Sequence, residues 1–189
     1  NYLVNILRHA GFSRNGIRII PWGIDTQMFC YLEKELQRPV RFLHVGNLHP
    51  VKDQETLLKA FRIISKTVES TLTIIGEGVL KPRILALIGQ LELQERVTIL
   101  NPLPYEQLPG YYHQADILLH TSLSEGQCEV VTEAMSAGVL VCGTKVGLMA
   151  DLPDCCLSAI LQTCGAVAAA TDYAAFFAGF RSHDTAETR

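Results

Sequence analysis

Between residues 41 and 142 the chain alternates short apolar runs with stretches whose apolar residues recur every three or four positions. Few folds accept that order. Residues 41–45 predict a strand that ends at Gly46. Residues 53–69 predict a helix, with Asp53 as N-cap and Leu57, Phe61, Ile64 and Val68 at helical spacing. Residues 71–75 predict a second strand, closed by Gly76-Glu77-Gly78, and residues 80–92 a helix with Leu80, Ile84, Leu87, Ile88 and Leu91 on its apolar side. A strand over 97–100, broken by Pro102 and Pro104, leads to a short helix over 105–114. A strand over 116–120, a helix over 128–137 stopped by Gly138, and a strand over 139–142 complete the series. Strands apolar on both sides belong in a parallel sheet with helices on both faces. Right-handed crossovers then give an α/β, Rossmann-like, doubly wound parallel sheet. Ligands of such sheets bind beyond the carboxyl ends of the strands, so the loops after residues 45, 75, 100, 120 and 142 are where chemistry is expected.

The rest of the chain departs from this rhythm. Residues 17–20 predict a short strand followed by the turn Pro21-Trp22-Gly23-Ile24-Asp25. A strand without a neighbour in the alternation reads as the tail of a preceding domain. We therefore expect residues 1–36 to be a remnant of a preceding lobe with its linker, and 37–189 to be the main domain. Residues 155–170, rich in Cys and Ala, leave strand and helix both open; 172–180 read as helix and 181–189 as frayed.

Composition excludes several classes. With 48% hydrophobic and 19% charged residues, the chain is not a disordered tail. A net charge of −3 argues against a general nucleic-acid binder, which carries a basic surplus. A length of 189 residues suits one domain, or one domain and a fragment of another. No apolar run approaches the ~20 residues of a membrane-spanning helix. The N-terminal residues lack Met and a charged-then-apolar layout, and read as a cut through something longer. The six cysteines, at 30, 128, 142, 155, 156 and 164, form no Cys-x-x-Cys pair, and the histidines show no metal-ligand spacing. Reduced thiols in a cytoplasmic protein are the expectation, and no metal.

The loop after the first strand, 46–53, couples a glycine that lets backbone approach a ligand with Lys52 just before a helix N-terminus. Gly46, Asn47 and Lys52 suit a phosphate; a solvated surface loop explains the same residues. There is no Gly-Lys-Ser/Thr of a P-loop and no G-x-G-x-x-G after the first strand, which disfavours a P-loop NTPase or an ordinary dinucleotide enzyme. Glu77, between Gly76 and Gly78, is a weaker signal that a tight turn explains equally well. The segment 122–135 says most. Glu125 lies in the loop after the fourth strand, and Glu133 falls about five residues into the next helix, or ~7 Å along its axis. A diphosphate on the helix N-terminus would leave Glu133 level with an attached ribose, and Glu125 facing the group beyond the phosphates. The alternative is a loop cap and a solvated glutamate. Glu129 precedes Glu133 by four residues on the same face, so like charges repel unless one finds a polar partner.

These residues together resemble the C-terminal, donor-binding half of a retaining GT-B glycosyltransferase of the "glycosyl transferases group 1" type. Ile19-Ile20-Pro21-Trp22-Gly23-Ile24-Asp25 with Phe29 is similar to the family's interdomain V-I-P-N-G-V-D…F. Val45-Gly46-Asn47-Leu48 with Lys52 is similar to V-G-R-L…K, and the residues from Leu72 to Gly78 to L-x-I-x-G-x-G. Ala115-Asp116 opens the A-D strand, and Glu125 to Glu133 reproduces E-x7-E, followed by Ala134-Met135-Ser136-Ala137-Gly138. The resemblance covers about residues 17–152.

It implies a hexosyltransferase-type enzyme that moves a sugar from a nucleotide diphosphate sugar with retention. Glu133 would hold the ribose and Glu125 would contact the transferred sugar. Lys52 would bind the diphosphate, helped by backbone at Gln127 and Cys128. Asn101 and Leu103 would lie against the base, and Gly46, Asn47 and Glu77 complete the donor-binding set. It implies no cofactor and no metal, since cationic side chains and a helix N-terminus stabilise the leaving diphosphate. The partners implied are the nucleotide sugar and, through the missing lobe, a sugar, glycan or lipid acceptor. No nucleic acid is implied; the location implied is cytoplasmic, with peripheral membrane association of a longer protein left open.

The departures also matter. Asn47 stands at the family's phosphate-binding arginine, Gly126-Gln127-Cys128 replaces Gly-Phe-Gly, Glu129 stands where a neutral residue is common, and Gly147-Leu148 replaces Gly-Gly. Without the acceptor-binding half, this chain alone is expected to bind donor but transfer nothing. The alternatives are a catalytically inactive nucleotide-binding or regulatory module, and a lobe of a nucleotide-sugar epimerase.

Overall fold

The structure, a computed structural model, describes residues 2–34 and 38–152. Five strands form one sheet in the order β3-β2-β1-β4-β5: β1 (Val40–Val45), β2 (Ser70–Ile75), β3 (Val97–Leu100), β4 (Ile117–His120) and β5 (Leu140–Gly143). Every neighbouring pair is parallel, with Val45 opposite Ile75, Phe42 opposite Ile117, Leu72 opposite Val97 and His120 opposite Gly143. The expected α/β doubly wound sheet is present.

The helices take alternate faces because successive strand residues point to opposite sides. Phe42, Leu72, Ile74, Ile117 and Leu119 point into one core, which α2 (Gln54–Thr67) covers with Leu57, Leu58, Phe61 and Ile64 and α3 (Lys81–Gln90) with Ile84 and Ile88. Leu43, Ile75, Leu118 and Val141 point the other way, against Tyr112 of α4 (Leu108–Gln114) and Val131 and Ala134 of α5 (Glu129–Ser136). Burying each such side chain is worth ~1.5–3 kcal/mol, so both faces are committed.

Local chemistry sets the element ends. Asp53 caps α2 by accepting from the Thr56 N–H at 3.2 Å. A proline in the first turn of α3 and of α4 costs no helical bond there. Asp116, buried just before β4, accepts from the Arg41 backbone N–H at 2.8 Å and from its guanidinium at 3.1 and 2.8 Å, which locks β4 against β1.

The segment before β1 differs from expectation. Residues 17–20 form no strand. Ile19 and Ile20 are exposed, and the chain here follows the α5 side of the molecule instead of adding to a sheet edge. A helix, α1 (Tyr2–His9), precedes it and meets the 147–151 region through a Tyr2 N–H to Asp151 Oδ1 bond of 3.0 Å. Phe29 is fully buried in the second core, edge-on to Tyr112, and Lys34 Nζ donates to the carbonyls of Tyr112 and Ala115 at 2.9 Å each. A cation on those carbonyls completes the C-terminus of α4. The expectations for 155–189 lie outside the described residues. No helix among the described residues is long and apolar enough to cross a membrane.

Candidate functional site

The sheet order reverses between β1 and β4: β2 and β3 lie to one side of β1, and the next strand crosses to the other. A crevice opens beyond the carboxyl ends of strands at such a reversal. Two loops line it, one leaving β1 and one leaving β4. Thr121 Oγ1 donates to the carbonyls of Lys52 and Asp53 at 2.9 and 3.0 Å, and the Leu123 N–H to the Val51 carbonyl at 2.8 Å, so the loops are tied together. Across them Lys52 Nζ meets Glu125 Oε1 at 2.5 Å.

The cleft holds about 320 Å³ and is lined by Trp22, Lys52, Glu125, Gln127, Cys128, Glu129 and Val130. Its floor is the N-terminus of α5, where unpaired N–H groups and the helix dipole favour an anion. Gln127 joins this floor to the preceding segment: its side-chain oxygen accepts from the Trp22 N–H at 2.6 Å and its amide nitrogen donates to the Trp22 carbonyl at 2.8 Å. Gly147 shapes the loop from behind. At φ 55° it holds a conformation that disfavours side chains, and a Cβ there would lie 2.8 Å from Glu125 Cβ. The Leu148 N–H then donates to the Gln127 carbonyl at 3.0 Å.

Glu133 sits one turn further along α5 and is buried at 4% exposure. Its Oε2 accepts a 2.6 Å hydrogen bond from the Tyr112 hydroxyl. This is the polar partner that the Glu129–Glu133 spacing called for, and Glu129 itself faces solvent. Burial raises the Glu133 pKa against hydrogen bonds from Tyr112 and Tyr105 that lower it. Tyr112 moves well above the ordinary tyrosine value, through burial and the charge of Glu133. Glu125 behaves oppositely: burial pushes its carboxyl up, but the hydrogen bond and charge of Lys52 help hold it below the usual range.

Two buried histidines lie beneath the cleft. His44 Nδ1 donates to the Leu119 carbonyl at 3.0 Å, and burial lowers its pKa to about 4. His120 at the end of β4 is also lowered to about 4 by burial, against the raising charge of Glu125. Cys128 Sγ touches the His120 ring, and burial pushes its thiol up to about 12. His120, Glu125 and Cys128 together are a possible metal-ligand set.

The structure thus gathers Lys52, Glu125, Gln127 and Cys128 on one cleft, with Glu133 next to it. Gly46 and Asn47 stay on the facing loop, where Asn47 is exposed and its carbonyl accepts from Gln54 Nε2 at 2.9 Å. Like Glu133, Gly46 and Asn47, three more expected residues stand outside the lining of this cleft. Glu77 is exposed in the turn after β2, Asn101 after β3 accepts from Lys81 Nζ at 2.7 Å, and Leu103 packs half-buried on the second core. Sequence reasoning missed Trp22 as a wall, Tyr112 as the partner of Glu133, Gly147 as the support of Glu125, and the approach of His120 to Cys128. Only Gly147 carried a signal, as a glycine in a loop after a strand.

Comparison with known proteins follows the same lines. The family model described as glycosyl transferases group 1 matches residues 33–153. The chain is 28% identical over 155 residues to a D-inositol 3-phosphate glycosyltransferase of Pseudarthrobacter chlorophenolicus, covering 75% of this chain and 37% of that protein. It is 28% identical over 151 residues to the GPI3 subunit of phosphatidylinositol N-acetylglucosaminyltransferase of Saccharomyces cerevisiae, covering 76% and 33%. It therefore spans only 37% and 33% of the length of these relatives. Anabaena Alr3699/HepE, crystallised with UDP-glucose, matches at a TM-score of 0.68 and 21% identity over 79% of this chain and 44% of that one. The C-terminal domain of LpcC, a glycosyl transferase group 1 protein of Francisella tularensis, matches at 0.68 and 19% identity over 82% and 88%. The fold is that of a GT-B glycosyltransferase lobe, and with the family model matching most of the chain, the protein belongs to the glycosyl transferases group 1 family.

Proposed function

We propose that this chain is the donor-binding part of a retaining, hexosyltransferase-type enzyme that uses a nucleotide diphosphate sugar. The observation that carries the reading is the meeting of Lys52 and Glu125 across the β1/β4 reversal, directly over the N-terminus of α5. A diphosphate on that helix end gains its N–H groups and the Lys52 ammonium, both of which stabilise charge developing on the leaving group. Lys52 then passes from Glu125 to the phosphates, and Glu125 turns to the hydroxyls of the transferred sugar. Glu133, with Oε2 held by Tyr112, offers Oε1 to the ribose. Asn47 supplies no cation, so the diphosphate leans on Lys52 and the helix. No step calls for a metal. The acceptor, a sugar, glycan or lipid, enters from a further part of the protein in the cytoplasm. The relatives' names support glycosyl transfer, and the UDP-glucose in the Anabaena complex supports this class of donor.

The test is calorimetric titration of the folded protein with UDP, GDP and ADP, beside Glu133→Ala and Glu133→Gln variants. Selective binding of one diphosphate, abolished or much weakened in both variants, is expected. Binding unchanged by both variants would remove Glu133 from the site. Binding of no diphosphate by the longer protein that contains this chain would sink the donor reading. Donor binding without transfer by that longer protein would leave an inactive nucleotide-binding module.

A further inference from the structure

His120 closes β4 and Cys128 precedes α5, and the loop between them folds back on itself. Cys128 Sγ comes to lie 3.4 Å from His120 Nε2 and 3.6 Å from Nδ1. Both side chains are buried, and among the described residues neither ring nitrogen of His120 has another hydrogen-bond partner. A buried imidazole that meets only a thiol is unusual, since buried polar atoms normally find oxygen or nitrogen partners. Glu125 closes the group: one ligand atom from each of His120, Glu125 and Cys128 lies within 4.8 Å of the other two. The backbone adds an independent sign. Cys128 sits at φ 71°, where any side chain costs ~1–2 kcal/mol that glycine would not. The strain falls on the residue that carries the sulfur.

Coordination geometry decides what that use can be. A zinc ion holds sulfur at ~2.3 Å and imidazole nitrogen at ~2.0 Å, so a tetrahedral angle separates the two ligand atoms by ~3.5 Å. The Sγ–Nε2 distance of 3.4 Å already matches that edge. A Glu125 oxygen has to close from at most 4.8 Å to about the same length, a shift of roughly 1 Å, within reach of a side-chain rotation. Its Oε1 meets Lys52, so coordination competes with that ion pair. One thiolate and one carboxylate neutralise a dication, so Lys52 would face an uncharged centre.

We propose that His120, Glu125 and Cys128 form a site for a thiophilic divalent cation of the zinc type, with its fourth position open to the cleft. Binding replaces the Cys128 S–H bond by a metal–sulfur bond, and the thiol proton leaves to solvent. Occupancy draws Glu125 away from the cleft and so denies the transferred sugar its carboxylate, while the diphosphate still meets Lys52. That consequence rests on the function proposed above; the cation site itself does not.

The test uses the full chain, reduced and stripped of metal, titrated with Co²⁺ and then Zn²⁺ in the absence of nucleotide. A near-ultraviolet thiolate-to-cobalt band is expected, with tetrahedral visible absorption that Zn²⁺ erases. Cys128→Gly suits the local φ and should stay folded by circular dichroism while losing the band. Glu125→Gln should weaken cation affinity about tenfold or more, at least the effect of removing a supporting group around a metal. A Cys155→Ser/Cys156→Ser/Cys164→Ser variant should keep the band. Absence of a thiolate band in the reduced chain, or a band that persists in Cys128→Gly, overturns the proposal. Because no nucleotide is present, failure here leaves the donor reading standing. Loss of diphosphate binding in the earlier titration likewise leaves the cation site standing.

Discussion

Replacing Tyr112 by Phe removes a single oxygen from the interior and isolates one interaction. Tyr112 is fully buried, and its hydroxyl donates to Glu133 Oε2 at 2.6 Å with the glutamate itself at 4% exposure. The phenylalanine keeps the ring contacts with Phe29, so no cavity larger than the oxygen is left. A hydrogen bond to a charged group contributes ~1.5–3 kcal/mol, and a carboxylate buried this deeply has little water to take the hydroxyl's place. Tyr112→Phe should therefore lower unfolding free energy by ~1.5–3 kcal/mol at neutral pH, read by urea denaturation with an unchanged m-value. The sign of the pH dependence follows from what the bond does. It favours the charged carboxylate, so its loss raises the folded-state pKa of Glu133 above a value that burial already raises. The wild type's advantage is then complete above that pKa and shrinks as pH falls and Glu133 protonates in the variant. A double-mutant cycle with Glu133→Met, whose side chain offers the hydroxyl no oxygen, isolates the pair. A coupling energy below ~0.5 kcal/mol, within the error of such cycles, or a Tyr112→Phe cost independent of pH, would refute the reasoning.

Three further outcomes are expected. Gly147→Ala forces a side chain into left-handed backbone and onto Glu125 Cβ; it should cost ~1–2 kcal/mol by thermal or chemical denaturation and weaken diphosphate binding. Asp116→Ala strips the Arg41 N–H of its acceptor at the start of β1 and should destabilise by ~1–3 kcal/mol, with Arg41→Ala costing less because the guanidinium end is partly in water. His44 has a folded pKa depressed by burial to about 4 from 6.5, so its contribution is intact above pH 6.5 and is lost as pH falls towards 4. The loss amounts to ~3 kcal/mol at most, from 1.36 kcal/mol per pKa unit, and a His44→Gln variant should flatten that stretch of the stability curve.

The sheet could be read from the chain because its strands are short, apolar on both faces and separated by helices with clear periodicity. Residues 97–100 were placed to the residue, and Asp53 was expected and found as the cap of α2. Residues 17–20 misled for a physical reason. Branched apolar residues favour strands only where a sheet edge is within reach, and here the backbone of the following Trp22 is tied to Gln127 instead. The helix α1 was not expected, since eight residues carry little periodic signal. The candidate site was legible where it follows the chain's punctuation: Lys52 before a helix, Glu125 after a strand, Glu133 eight residues on. Contacts across distant elements left no trace in sequence. Tyr112 reaches Glu133 from another helix, and His120 meets Cys128 only because the loop between them turns back.

The Lys52–Glu125 ion pair changes what binding at the cleft means. An arriving diphosphate meets an ammonium that already has an anion, so it makes an exchange and not a new pair. The carboxylate acts as a resident placeholder, keeping Lys52 aimed across the two loops while the cleft is open. Affinity then records only the difference between two anions, and added salt weakens both sides of the exchange together. A chain with Glu125→Gln would leave Lys52 unclaimed: it should take diphosphate more tightly and with a steeper dependence on ionic strength, at the expense of the contact its carboxylate is kept for.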